Sequence, residues 1–354
     1  MKVAIPRAYL GTMTFAWSSQ TSSVVDEPVA LEMVQRFLQF NHAIGVDRHR
    51  IDTARVYAGG NTEPMVGAVL KKLDPKLNVL VGTKAHPSVK PGLSSEGIMG
   101  QLSTSLGAMD LSTVEEYYLH QPDTEATLLE GLKCVHALVE EGKIKVVGMS
   151  NYHASEMARA FALCKEHSLT PPTVYQGLYN PLNRLVEEEL LPILKANGCS
   201  FVAYNPLAAG LLTGKHTTKD TVLQGRFKNN ENYLPRFYTS SNFEAIKLIH
   251  DQCEADDISM VEATYRWILR HSCLTETDGF LLGASSVEQL DQNLAACTAA
   301  ATKEGLSTDM LLAFDKAWEL TKENAFPYWR SYSLDMPNRE SLDPGASYNA
   351  VKAK

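Results

Sequence analysis

The chain has 354 residues with a formal net charge of −8, and 44% of them are apolar while 21% are charged. This acidic balance excludes nucleic acid and an anionic membrane surface as expected main partners. The apolar fraction is ordinary for a globular protein with a large core, and an α/β barrel reaches this length as one domain.

Cysteine usage and the N-terminal residues bear on the cellular compartment. Six cysteines are scattered without a C-x-x-C pair, which predicts reduced, mostly buried thiols and no metal site. Residues 1–11 lack the long apolar stretch of a signal peptide, and no run approaches the roughly 18 apolar residues of a membrane span. We therefore expect a cytoplasmic protein.

Short apolar segments alternate with segments of helical periodicity along most of the chain. The predicted strands are 8–15, 51–53, 78–84, 114–119, 143–149, 173–176, 199–204 and 279–283. The predicted helices are 28–42, 62–73, 94–109, 125–141, 154–167, 186–197, 243–255, 261–270 and 287–300. Eight such units favour a closed (β/α)8 barrel over an open sheet.

The predicted barrel domain covers residues 1–337, with a long polar and aromatic loop (208–242) after the seventh strand and a C-terminal loop (325–330) over the barrel mouth. Residues 338–354 form a polar tail, which we expect to be extended or disordered. The pair Gly59-Gly60 does not follow the spacing of a G-x-G-x-x-G fingerprint, so a Rossmann domain has no support.

Polar residues stand where the predicted strands end, and in this fold chemistry lies at those ends. They are Asp52, Lys84, His120, Ser150, Asn151, Gln176, Tyr204, Asn205 and Ser285. Each has an ordinary structural explanation when taken singly: a loop cap, a solvated lysine, a core histidine. The set together favours a site.

Tyr57 follows Asp52 by five positions and could act as an acid within this set. A free tyrosine has a pKa of about 10, and a neighbouring ammonium such as that of Lys84 favours the phenolate. With a histidine to orient a carbonyl, the set supports protonating an oxygen on which negative charge develops. Hydride for a carbonyl reduction needs a cofactor, because no side chain supplies it.

The segments Ile51-Asp52-Thr53-Ala54 with Tyr57, Lys84, His120 and Gly148-Met149-Ser150-Asn151 resemble the Asp-Tyr-Lys-His tetrad and its context in the aldo-keto reductases. The resemblance spans roughly residues 9–293 and is strongest to the aflatoxin-aldehyde reductase branch, through 204–215, 225–227 and 283–293. It implies NADPH-dependent reduction of an aldehyde or ketone, with Tyr57 as proton donor, Asp52 and Lys84 as its tuning pair, and His120 orienting the substrate.

The resemblance also implies a cofactor site. Ser150, Asn151 and Gln176 would hold the nicotinamide carboxamide, Tyr204 would stack on its ring, and 205–215 would line the pyrophosphate. The implied cofactor-binding positions are Asp52, Ser150, Asn151, Gln176, Tyr204, Asn205, Pro206, Leu207, Gly210, Leu212, Lys215, Arg226, Gly283, Ser285, Gln289 and Asn293. Gly283 and Gln289 stand where many family members carry a lysine and an arginine for the 2′-phosphate; Lys215 and Arg226 are the cations expected to compensate.

Substrate contacts are expected from His120, from the loop residues Arg236, Trp329 and Arg330, and from Phe15 and Trp17 after the first strand. Arg236 and Arg330 resemble arginines that bind carboxylate-bearing substrates in the same branch, and arginine forks match carboxylates. Two alternatives stay open: a nucleotide-binding regulatory subunit with little turnover, and a dedicated biosynthetic ketoreductase. Members of the related branch are often dimers, so a homodimer is a further possibility.

Overall fold

The structure is a computed structural model that describes residues 4–17, 24–216 and 234–346. Eight parallel strands close into a barrel in sequence order, with β1 paired to β8 through Tyr9 and Leu281. The strands are β1 Arg7–Gly11, β2 His49–Asp52, β3 Val79–Ala85, β4 Val114–Leu119, β5 Ile144–Ser150, β6 Val174–Leu178, β7 Ser200–Tyr204 and β8 Gly279–Leu282. The predicted (β/α)8 barrel is confirmed.

Helices surround this barrel along the described chain. They are α1 Glu27–Ile44, α2 Thr62–Leu70, α3 Ser95–Met109, α4 Leu128–Glu140, α5 Ala154–Glu166, α6 Leu190–Ala196, α7 Leu234–Phe237, α8 Ser240–Ala255, α9 Met260–Arg270, α10 Val287–Thr302 and α11 Thr308–Thr321. Side-chain N-caps define several of their starts, such as Ser94 before α3 and Thr127 before α4. Most apolar side chains lie in one large core between the helices and the outer face of the barrel.

The barrel interior is a packed layer structure rather than a pore. Tyr9, Tyr118, Val174, Val202 and Leu281 form its apolar cluster. A Cβ atom at position 148 would lie 2.4 Å from the Tyr118 ring, so only glycine leaves room for that ring beside β5. The filled interior leaves the strand ends as the place where polar side chains converge.

Several predicted boundaries differ from the structure for local reasons. The first strand ends at Gly11 rather than at residue 15, because Thr12 begins a turn in which the Phe15 N–H donates to the Thr12 carbonyl. The predicted helix 186–197 is a short 3-10 turn followed by α6, with Pro192 in the first turn of α6 where proline is tolerated. Helix α11 was not predicted.

The C-terminal residues correct a second expectation. Residues 338–346 contain a 3-10 turn, and the Ala346 N–H donates to the Trp329 carbonyl while Arg330 bridges to Gly345. This part of the predicted tail is therefore held against the C-terminal loop, and residues 347–354 lie outside the described residues. Across 4–17, 24–216 and 234–346, no helix combines the length and apolar character that crossing a membrane would require.

Candidate active site

Lys84, near the end of β3, is the centre of the polar group at the barrel mouth. Its Nζ donates to both carboxylate oxygens of Asp52, at 2.8 and 2.7 Å, and to the Thr53 carbonyl at 2.8 Å. The Tyr57 hydroxyl lies 3.3 Å from the same nitrogen. Lys84 and Asp52 are wholly buried, at 0% and 1% exposure. Burial lowers the pKa of the Lys84 ammonium, and the Asp52 carboxylate opposes that shift.

Tyr57 differs from this pair because it is only half-buried and can meet a ligand. It opens a 3-10 turn directly after the loop that leaves β2, and the Lys84 ammonium lies 5.0 Å from the centroid of its ring. The arrangement places a cation on the buried side of the phenol. The sequence prediction that Asp52, Tyr57 and Lys84 meet is therefore matched by this geometry.

His120, one residue after β4, completes the predicted set. Its ring lies edge-on to Tyr57, with centroids 6.0 Å apart, and its buried Nδ1 has no hydrogen-bond partner among the residues that the structure describes. Burial, then His86 and Lys84, hold the pKa of His120 well below its ordinary value. A neutral imidazole therefore faces the phenol at physiological pH, able to donate or accept a hydrogen bond without adding charge.

Two side-chain amides extend the site: Asn151 directly follows β5, and Gln176 lies within β6. Gln176 Nε2 donates to Asp52 Oδ1 at 2.9 Å. Asn151 Nδ2 donates to the His120 carbonyl at 2.8 Å, and the Tyr204 hydroxyl donates to Asn151 Oδ1 at 2.8 Å. Asn151 adopts a left-handed backbone with φ 61°, a conformation that asparagine tolerates better than most residues. Asn151 and Tyr204 are therefore joined directly to each other, and Gln176 is joined to Asp52.

The segment after β7 is an irregular turn. Asn205, Ala208, Ala209 and Gly210 all have left-handed φ values, from 48° to 107°, and Asn180 Nδ2 donates to the Asn205 carbonyl. Backbone turns of this kind present N–H groups to anions. Pro206, Leu207 and Leu212 lie in the same segment, and Lys215 at its end is exposed. Arg226 lies outside the described residues.

A second predicted group lies where β8 leads into α10. The Ser285 N–H and hydroxyl both donate to Gln289 Oε1 at 3.0 Å, and Asn293 Nδ2 donates to the Gly283 carbonyl at 3.2 Å. Ser286 caps α10 by accepting the Gln289 N–H. The start of this long helix offers a favourable electrostatic setting for phosphate.

The predicted substrate residues lie in different parts of the structure, and only some of them are near the site. The backbone N–H of Arg330 donates to the Asn151 carbonyl, and the Arg330 guanidinium lies 3.4 Å from Gln121 Oε1. Arg330 therefore lies beside Asn151. Arg236 packs over the Phe326 ring of the C-terminal loop, 4.2 Å from its centroid. Trp329 lies edge-on to the His153 ring, and its Nε1 donates to the Asp343 carbonyl. Phe15 is a core residue with 0% exposure, so its prediction as a substrate contact is wrong.

Sequence reasoning missed His86, two residues after Lys84. Its ring lies edge-on to His120 with centroids 5.0 Å apart, and burial, with the Arg330 charge second, lowers its pKa to about 4. A histidine so close to a strand end was the available signal. It adds a second neutral imidazole to the mouth.

The Aldo/keto reductase family profile matches residues 8–308, and the chain belongs to that family of oxidoreductases, which act on carbonyl groups. It is 38% identical to the aflatoxin B1 aldehyde reductase member 2 of Mus musculus, over 92% of this chain and 88% of that protein.

Two further relatives have different names. The aldo-keto reductase family 7 member A3 of Homo sapiens is 37% identical, over 92% of this chain and 98% of its own length. The oxidoreductase sirO of Leptosphaeria maculans is 31% identical, over 91% and 97%. The predicted resemblance to the aflatoxin-aldehyde reductase branch is confirmed.

Proposed function

We propose that this protein is an NADPH-dependent reductase that converts aldehydes or ketones to alcohols, with Tyr57 as the proton donor. The observation that carries the proposal is the contact of Lys84 Nζ with both the Asp52 carboxylate and the Tyr57 hydroxyl. Two of the relatives are named as an aldehyde reductase and an aldo-keto reductase, which supports the same reaction.

The four tetrad residues act on the carbonyl oxygen of the substrate. NADPH, when bound, supplies the hydride that reduces the carbonyl carbon. As negative charge develops on the oxygen, the Tyr57 hydroxyl gives it a proton, and the nearby Lys84 ammonium stabilises the phenolate left behind. Asp52 holds Lys84 in place, and the neutral His120 imidazole orients the carbonyl by a hydrogen bond.

The chemistry of the polar side chains fits the cofactor. Ser150, Asn151 and Gln176 offer hydroxyl and amide donors and acceptors that suit a carboxamide, and the half-buried Tyr204 ring suits stacking on a planar base. The irregular turn after β7 and the start of α10 suit the phosphates. We assign the 2′-phosphate of NADPH to Ser285, Gln289 and Asn293, with support from Lys215 and Arg226.

The substrate side favours an acidic carbonyl compound. Arg330 lies beside Gln121 at the mouth, and Arg236 packs on the C-terminal loop. A guanidinium binds a carboxylate through two parallel hydrogen bonds, so an aldehyde that carries a carboxylate is the proposed substrate class. Trp329 would complete this side as a wall.

The test measures the turnover of a panel of carbonyl compounds that includes 4-nitrobenzaldehyde and succinic semialdehyde. Each compound is tested with NADPH and with NADH, and the loss of cofactor absorbance reports the rate. We expect oxidation of NADPH, and we expect Tyr57→Phe to lower kcat by about 10²- to 10⁴-fold, since that is the usual contribution of a positioned acid. The dissociation constant of NADPH, measured by fluorescence, should change little.

The matched control is Tyr9→Phe, which removes a phenol hydroxyl that bonds Glu116 inside the barrel. Its kcat should equal that of the wild type. Unchanged turnover in Tyr57→Phe would refute the mechanism, whereas tight NADPH binding with no turnover on any substrate would favour a regulatory nucleotide-binding subunit.

A further inference from the structure

The turn that carries Tyr57 has an unfavourable backbone. The three residues after Tyr57 all have positive φ: Ala58 at 47°, Gly59 at 63° and Gly60 at 96°. Alanine avoids this region because its Cβ crowds the following carbonyl. Such a backbone persists only where surrounding contacts hold it. The position of the Tyr57 hydroxyl therefore depends on whatever fixes this turn.

Arg55 lies on the inner side of the turn. Its Nη1 donates to the Gly60 carbonyl at 3.3 Å and to Glu63 Oε2 at 2.8 Å. A Cβ atom at position 60 would lie 2.5 Å from Arg55 Nη2, so the guanidinium packs directly on the glycine backbone. Arg55 thus joins both ends of the turn to the first residues of α2.

Glu63 links this turn to the strand that carries Lys84. Its side chain is wholly buried, and while one carboxylate oxygen accepts from Arg55, the other accepts from the Thr83 hydroxyl at 2.7 Å. Thr83 precedes Lys84 on β3, and successive side chains on a strand point to opposite faces. Thr83 therefore fixes β3 from outside the barrel while Lys84 projects to the inside.

We infer that Arg55, Glu63 and Thr83 form a positioning brace that sets the Tyr57 hydroxyl against Lys84 Nζ. The chain of contacts runs from the Tyr57 turn through one buried carboxylate to the neighbour of Lys84. None of the three residues needs to touch substrate or cofactor for this role. The inference rests on the proposed function, because it concerns the geometry of the same proton donor.

The experiment combines kinetics with hydrogen exchange of the protein without cofactor. In Arg55→Met, which keeps a long apolar stem, we expect kcat to fall by about 10- to 100-fold, since a small misplacement of a catalytic group has effects of that size. KM and the dissociation constant of NADPH should stay near their wild-type values. Exchange should accelerate in peptides spanning residues 55–62, where the Tyr57 N–H donates to the Ala54 carbonyl.

Two further variants and a control sharpen the result. Arg55→Lys keeps the charge beside Glu63 and should recover part of the lost kcat; Thr83→Val should lower kcat by a similar route. The control is Arg36→Met, which breaks the exposed pair between Arg36 and Glu32 on α1 and should change neither readout. Arg55 is partly exposed, so its variant can be tested even where a change at the buried Glu63 prevents folding.

The outcomes separate this inference from the proposed function. A lower kcat together with faster local exchange supports the brace, and either change without the other overturns it, because a merely structural role would loosen the segment without slowing the chemistry. If the wild type shows no turnover, the proposed function fails by itself. The exchange of residues 55–62 then tests the contacts of Arg55 alone: unchanged exchange in Arg55→Met overturns the brace, and faster exchange shows that Arg55 holds the turn.

Discussion

The barrel interior holds two sets of charged and phenolic side chains, one at the mouth and one a layer deeper. At the mouth, Asp52 and Lys84 are in direct contact and Tyr57 is half-buried. In the deeper set, Arg50 Nε lies 3.7 Å from Glu116 Oε1, and the Tyr9 and Tyr118 hydroxyls donate to the same carboxylate at 2.9 and 2.7 Å. Both sets contain a carboxylate, a cation and at least one phenol.

The two sets differ in what faces the phenol. Tyr57 has an ammonium at 3.3 Å, whereas Tyr9 and Tyr118 have a carboxylate, and burial followed by the Glu116 charge raises their pKa values well above 10. Burial also raises the pKa of Glu116. The deeper phenols are therefore locked as donors to Glu116 and serve stability. The order of charges, with the cation next to an accessible phenol, makes the outer set suitable for chemistry.

The largest effect should come from removing the cation at the mouth. Lys84→Met should lower kcat by roughly 10³-fold, because the phenolate of Tyr57 loses its stabilising charge. It should also lower the free energy of unfolding by about 3–5 kcal/mol, since the buried Asp52 carboxylate loses its partner. Steady-state kinetics and urea denaturation measure the two effects.

The double variant Lys84→Met/Asp52→Asn separates them. It should regain much of the stability, because no unpaired buried charge remains, and it should stay inactive. Recovery of activity in the double variant would show that the ammonium has no role beyond neutralising Asp52.

The next-largest effect should be the part of the pH dependence of stability that comes from His86. The folded pKa of His86 is about 4, below its ordinary 6.5, so the unfolded chain takes up this proton first. His86 therefore contributes roughly 3 kcal/mol at most to the free energy of unfolding at neutral pH. This contribution is lost as the pH falls from 6.5 to about 4. Denaturation at several pH values should show a shallower decline for His86→Gln than for wild type. Identical declines would contradict the assigned shift.

The smallest effect should come from the deeper set. Tyr118→Phe keeps the ring beneath Lys84 but removes the hydroxyl bonded to Glu116, and it should lower the free energy of unfolding by about 1–3 kcal/mol. Turnover should remain close to that of wild type. A loss of kcat as large as that of Lys84→Met would show that the two sets work as one unit.

The repeating part of this fold could be predicted from sequence because each strand is a short apolar run with a polar end. β4 was predicted with the bounds Val114–Leu119 that the structure shows. Helix α11 was missed although Ser307 caps it and Met310, Phe314 and Ala317 follow at helical spacing. It lies beyond the eighth strand, where the alternation of strands and helices no longer indicates what comes next.

The site was predictable to the extent that its members stand at strand ends. Asp52, Lys84 and Gln176 meet because the parallel strands of the barrel bring their side chains to one level near the mouth, although β6 continues beyond Gln176 to Leu178. The roles of Arg55 and Glu63 could not be predicted, since Glu63 lies on a helix start where a glutamate is ordinarily solvated. Its burial depends on Thr83 and Arg55 approaching from two other elements, which only the folded structure shows.

The C-terminal segment has a consequence for the time at which the mouth is completed during synthesis. The Ser333 N–H donates to Glu156 Oε1, a partner 177 residues earlier, and the Leu334 N–H donates to the Asp123 carbonyl. A domain generally folds as a unit during synthesis. The tetrad and all eight strands precede Arg330 and Ser333 in the chain, so the barrel completes its mouth only after these late residues have left the ribosome.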